Sequence, residues 1–83
     1  SGLPEIKIQL NKINLGMNII DLLSNNKILN SKSEARRVIL NKGIKINNQT
    51  VSDEKKMLNL EDFDSGVLKL SYGKKKHYLI KII

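Results

Sequence analysis

Ser31, Lys32, Ser33, Arg36 and Arg37 lie together in the stretch SKSEARR. Two hydroxyls, an ammonium and two guanidiniums at this spacing suit the holding of phosphate. Arginine can grip a phosphate through two parallel N–H donors, whereas lysine supplies a point charge. Ser31 and Glu34 also have the S-x-x-E spacing of a capping box, in which each side chain satisfies the other's free backbone N–H. A helix is therefore predicted to begin at Ser31. Its first turn would add unpaired N–H groups and the positive end of a dipole to the same place. The same residues equally fit an ordinary solvated helix face on which Arg37 pairs with Glu34 at i,i+3.

Further cations follow. Lys42 and Lys45 flank Gly43, and would join the arginines if the helix docks on the strand that begins at Ile44. Lys74, Lys75 and Lys76 follow Gly73 between two alternating segments, as the tip of a hairpin, with Tyr72 and Tyr78 beside them. Tyrosines there could stack on an unpaired base, but core packing is the favoured reading, with lysines protecting a sheet edge.

The case for catalysis is thin. His77 is the only histidine and there is no cysteine, so neither a thiol nucleophile nor a zinc-type ligand set is present. His77 reads as a strand-face residue, and Glu61, Asp62 and Asp64 as a solvated acidic loop without the spacing of a calcium-binding loop. No glycine-rich phosphate loop occurs. No cofactor or metal is expected in these residues.

Eighty-three residues make one small domain, which buries only about 60% of its unfolded surface and has little room for a deep cleft. Fifteen Lys and Arg against eight Asp and Glu leave a net charge of +7, which directs attention to polyanions, nucleic acid first and anionic membrane second. The absence of cysteine fits a reducing compartment. Apolar runs are far shorter than the roughly 20 residues that span a bilayer, so the expected location is the cytoplasm, with no membrane partner. The opening SGLPEIKI has no initiator methionine, as expected of a piece excised from a longer chain.

The elements that must position the cations can be read from periodicity. PEIKIQLN alternates as a short strand. NIIDLLSNN places Ile19, Ile20, Leu22 and Leu23 on one face of a first helix, capped by Asn18 and stopped at Asn25-Asn26. In the second helix Ala35, Val38 and Ile39 face inward, and Gly43 is expected at the left-handed position that ends it. IKINNQTV reads as a strand bent at Asn47-Asn48. Residues 52–66 read mostly as loop with Met57, Leu58, Leu60 and Phe63 packed inward, before the strands VLKLSY and HYLIKII. The predicted fold is α+β, two packed helices on a small, mainly antiparallel sheet. It forms a single domain over 1–83: linker and first strand at 1–17, helix–helix–strand core at 18–51, loop and C-terminal hairpin at 52–83.

SKSEARRVILNKGIKIN resembles the signature of the RNA-binding domains named after small-subunit ribosomal protein S-four, in the order capping serine, Glu-Ala-Arg-Arg, glycine, strand Asn. LPEIKI and GKKKHYLIKI narrow the resemblance to the C-terminal domain of bacterial tyrosyl-tRNA synthetases. Members often carry glycine where this chain has Asn48, and sometimes a second glycine beside Gly43. The resemblance implies an RNA-facing helix pair that holds the long variable arm and anticodon stem of tyrosine tRNA. It implies RNA contacts by Ser31, Lys32, Ser33, Arg36, Arg37, Lys42, Lys45 and Asn47, with Lys74, Lys75 and Lys76 as additional ones. It also implies a homodimeric parent that binds ATP and tyrosine elsewhere, and a fragment that is itself monomeric and inactive. Two alternatives stay open: the same domain in a ribosome-associated factor or pseudouridine synthase, and a structural or protein-interaction module whose charge keeps it soluble.

Overall fold

The computed structural model describes residues 2–83. In chain order it contains strand β1 (Glu5–Ile8), helix α1 (Leu10–Leu15), β2 (Met17–Asn18), helices α2 (Ile19–Asn25) and α3 (Lys32–Leu40), a hairpin of β3 (Ile44–Ile46) and β4 (Gln49–Val51), β5 (Met57–Leu58), a 3-10 turn (Leu60–Asp62), and a longer hairpin of β6 (Val67–Tyr72) and β7 (Lys76–Ile82). Five strands form one sheet in the order β1-β7-β6-β3-β4, antiparallel except where β1 runs parallel to β7. The α+β architecture is as expected, with one helix more: Leu10 starts α1 instead of ending the first strand.

Local chemistry explains the helices that matter for the site. Asn18 caps α2, its side-chain oxygen accepting from Ile20 N–H at 2.6 Å. The amide of the same side chain donates to the Glu54 carbonyl at 3.0 Å, and Ile19 N–H donates to the Lys56 carbonyl at 2.8 Å, so the start of α2 is fastened to the 54–56 loop. Ser31 caps α3 by accepting from Glu34 N–H at 3.1 Å. The return bond differs from the predicted box: the Glu34 carboxylate accepts from Asn30 N–H, one residue before the cap.

The end of α3 corrects the sequence reading. Asn41 N–H donates to the Arg37 carbonyl, Lys42 N–H to Ile39 and Gly43 N–H to Val38. The last two bonds form a Schellman motif with Lys42, at φ +62°, in the left-handed position that glycine was expected to fill. Gly43 sits one residue later for a steric reason. A Cβ there would lie 2.8 Å from Val38 Cγ1 and 3.3 Å from the Val38 carbonyl oxygen.

Asn47 and Asn48 both take positive φ, 49° and 69°, which is the backbone of a two-residue type I′ hairpin turn. Asn47 also braces its surroundings, its amide donating to the Asp62 carbonyl at 2.8 Å while its oxygen accepts from Lys69 N–H at 3.0 Å.

One core holds the layers together: Ile19, Ile20, Leu22 and Leu23 of α2 and Ala35 and Ile39 of α3 pack against Ile44, Ile46, Leu68, Leu70 and Ile80 of the sheet. At roughly 1.5–3 kcal/mol per buried aliphatic side chain, this interface dominates the stability of so short a chain. Val38 is half-buried against it. Of the four residues expected inward between 52 and 66, Leu58 and Phe63 are buried, but Met57 and Leu60 remain 48% and 50% exposed. Consecutive strand residues point to opposite sides, so when β5 buries Leu58 it turns Met57 out. The acidic loop is more ordered than expected. Asp62 accepts from Asn59 N–H and takes both oxygens to Lys56 Nζ at 3.1 Å.

The same alternation gives the sheet two unlike faces. Ile44 and Ile46 look toward the helices; Lys45 between them looks away, in register with Ser71, which pairs with His77. No helix among the described residues is long and apolar enough to cross a membrane.

Candidate nucleic-acid interface

The exposed side of α3 carries Lys32, Ser33, Arg36 and Arg37 while Ala35 and Ile39 are fully buried behind them. Because Ser31 accepts a backbone N–H, its own O–H stays available to donate. Each cation of the helix has one carboxylate within reach. Lys32 lies 3.4 Å from Asp21, Arg36 Nε lies 3.9 Å from Glu54, and Arg37 lies 3.8 Å from Glu34. The arginine distances exceed hydrogen-bond length, and exposed pairs of this kind are worth about 0–1 kcal/mol, so a phosphate can displace them. The i,i+3 pair of Arg37 with Glu34 is the one the solvated-face reading anticipated.

Asp21, Glu54 and Lys55 line the same recess as Lys32 and Arg36, a small open hollow that Asn18 and Ile20 also line. Sequence reasoning missed Lys55 and Glu54. They reach α3 because Asn18 and Ile19 hold the 54–56 loop against the start of α2, through contacts 36 and 37 residues apart in sequence.

Lys42 belongs to a second cluster. α3 spans about 13 Å, which separates Lys42 from Lys32. Gly73 N–H donates to the Gly43 carbonyl at 3.0 Å and so brings the hairpin tip of Lys74, Lys75 and Lys76 to the end of α3. Tyr72 and Tyr78 are half-buried against the core, as favoured, and Lys76 Nζ sits 5.6 Å from the Tyr72 ring centroid. His77 is likewise held, with Nδ1 2.9 Å from Ser71 Oγ and Nε2 3.0 Å from the Lys74 carbonyl, which fixes the base of the tip.

Two residues of the predicted set stand apart. Asn47 has both ends of its amide engaged by backbone, so it shapes the turn. Lys45 is exposed on the sheet face opposite the helices, and the expected single cluster of five charges is therefore divided. The division follows from strand alternation: burying Ile44 and Ile46 forces Lys45 to the other side.

With this geometry established, the chain was compared with known proteins. Residues 1–80 match the family model described as Tyrosine--tRNA ligase SYY-like C-terminal domain. Among curated relatives, the Tyrosine--tRNA ligase of Pelagibacter ubique is 43% identical over 82 residues, covering 99% of this chain and 20% of the relative. That of Bartonella henselae is 40% identical over 81 residues, covering 96% and 19%. That of Gluconobacter oxydans is 41% identical, covering 98% and 20%. The chain spans about one fifth of the length of the curated relatives it matches.

Proposed function

The chain belongs to the family of Tyrosine--tRNA ligase SYY-like C-terminal domains, and from that membership we propose that it grips tRNA for a larger tyrosine ligase. α3 and the hairpin tip hold phosphates along the long variable arm and the neighbouring anticodon stem. Lys32, Arg36 and Arg37, with the hydroxyls of Ser31 and Ser33, form one half of the grip. Lys42 and Lys74–Lys76 form the other. Lys45 continues the charge onto the sheet, and Asn47 acts through the turn it braces. The observation that carries this reading is the Gly73–Gly43 hydrogen bond, which brings the tip of Lys74–Lys76 beside Lys42 at the end of α3 and so supplies the second half of the grip.

Phosphate contacts fix position and register while base edges carry sequence, so this grip recognises shape and charge more than sequence. Its output is orientation of the tRNA. Activation of tyrosine with ATP and attachment to the tRNA belong to the remainder of the parent, which acts as a homodimer in the cytoplasm; this domain by itself is a monomer with no catalytic role and no cofactor.

The test is binding to tyrosine tRNA with its variable arm intact and shortened, across a salt series. With about five of these eight cations on phosphates at once, log K against log salt has a slope of roughly −3.5 to −4.5. The intact arm should bind more tightly. Reversal of both arginines, Arg36→Glu with Arg37→Glu, should weaken binding while leaving the circular dichroism spectrum unchanged. A slope near zero, or equal affinity of the double variant, would overturn the reading.

A further inference from the structure

The sheet face turned away from the helices is the least expected surface of the molecule. Antiparallel sheets often leave one face to solvent, so exposure alone means little. The pattern of charge on it means more. Lys7 pairs in register with Lys81, Lys81 with Val67, Lys69 with Leu79, and Ser71 with both His77 and Lys45. From β1 through β7 and β6 to β3, therefore, Lys7, Lys81, Lys69 and Lys45 form a diagonal, one lysine per strand. From strand spacing and rise, the steps between their Cα atoms are about 5 Å for the first and about 8 Å for the next two.

Among the described residues, Lys7, Lys45 and Lys69 pair with no carboxylate. Lys81 is held at 2.9 Å by Glu5. Glu5 is also the acidic residue that the strand registers place on this face. A face meant only for solubility would intersperse both signs; this one carries four lysines to one glutamate. The upper end of the diagonal, Lys45, lies in the same row as His77, whose ring is bonded to the carbonyl of Lys74 at the hairpin tip. The stripe therefore starts where the basic tip ends.

We propose that this stripe is a second phosphodiester track, taking a length of RNA backbone that leaves the α3–hairpin-tip cluster and crosses the open face of the sheet. The proposal rests on the tRNA-binding reading above and extends it beyond Lys45 to Lys69, Lys81 and Lys7, which the signature around α3 does not include. The RNA is held by backbone charge alone, since lysines on a flat sheet offer point charges and no planar fork for reading bases.

The test uses the 83-residue chain, tyrosine tRNA and two measurements. In the first, Lys7→Gln with Lys69→Gln, which leaves the Glu5–Lys81 pair intact, is titrated over salt beside wild type and the Arg36→Glu, Arg37→Glu variant. Loss of two contacts should reduce the magnitude of the slope by about 1.4–1.8, a weakening that grows roughly 25- to 60-fold between 1 M and 0.1 M salt. In the second, wild-type lysines are labelled with an amine-reactive reagent with and without tRNA. Lys7 and Lys69 should be protected together with Lys42. If the double glutamine variant keeps the wild-type slope and Lys7 and Lys69 stay reactive while Lys42 is protected, the stripe is not a track and the α3 grip stands. If wild type shows no salt-dependent binding, the tRNA reading fails and the stripe with it.

Discussion

The backbone N–H of Gly73 donates to the carbonyl of Gly43 at 3.0 Å, so the longer hairpin is pinned to the turn that closes α3. Gly43 is thus constrained from two sides, by this bond and by Val38 close against its Cα. Gly43→Ala would push a methyl to 2.8 Å from Val38 Cγ1. Overpacking of this kind costs about 1–3 kcal/mol. Urea unfolding should show that loss, and Val38→Ala in the same chain should recover part of it. Additive effects in the double variant would mean that the clash is not the cause.

Lys42 separates stability from binding. A residue with a Cβ in the left-handed region is strained by about 1–2 kcal/mol, part of which glycine forfeits through its freer unfolded chain. Lys42→Gly is expected to stabilise the fold by about 0.5–1 kcal/mol and also to weaken tRNA binding, shifting the salt slope by about 0.7–0.9. Chemical denaturation and the binding titration check the two halves. A variant that is both more stable and undiminished in affinity would remove Lys42 from the interface.

Glu5 offers a pH test of the sheet face. The hydrogen bond and charge of Lys81 hold its carboxyl below the usual carboxylate range. A folded value below the unfolded one contributes stability above the unfolded pKa, and the contribution is lost as pH falls through the folded value. Glu5 is exposed at the surface, so the change in stability is small and the informative readout is the carboxyl titration followed by NMR. Its midpoint should lie below that of a free glutamate side chain and return upward in Lys81→Gln. An unmoved midpoint would mean that the pair does not persist in solution.

How much of this was legible in the sequence depends on how local the cause is. The start of α3 follows from Ser31, the start of α2 from Asn18, and the first hairpin from Asn47-Asn48, because each of these side chains or backbones acts within a few residues. Helix α1 was hidden because QLNKINL has six helical residues and no side-chain cap. The exchange of roles between Lys42 and Gly43 was hidden too, since glycine normally signals φ and here answers to the bulk of Val38. Placement of Lys45 away from Arg36 required knowing which side of β3 the helices cover. The diagonal of lysines required the register of four strands, including β1 with β7, whose paired residues are 74 positions apart. Residue types pointed to polyanions as the partners to test; only the pairing of distant strands places four lysines on one diagonal across the sheet.

The parallel pairing of β1 with β7 has a mechanical consequence. A pull on Leu3 against Ile83 runs along neighbouring strands in opposite senses, so the bonds between them are loaded in shear and share the force. Unzipping would break them one at a time. Tension entering through β1 therefore meets the stiff direction of the sheet, and tRNA held on α3 or across the strands would be towed with the whole domain as a rigid body.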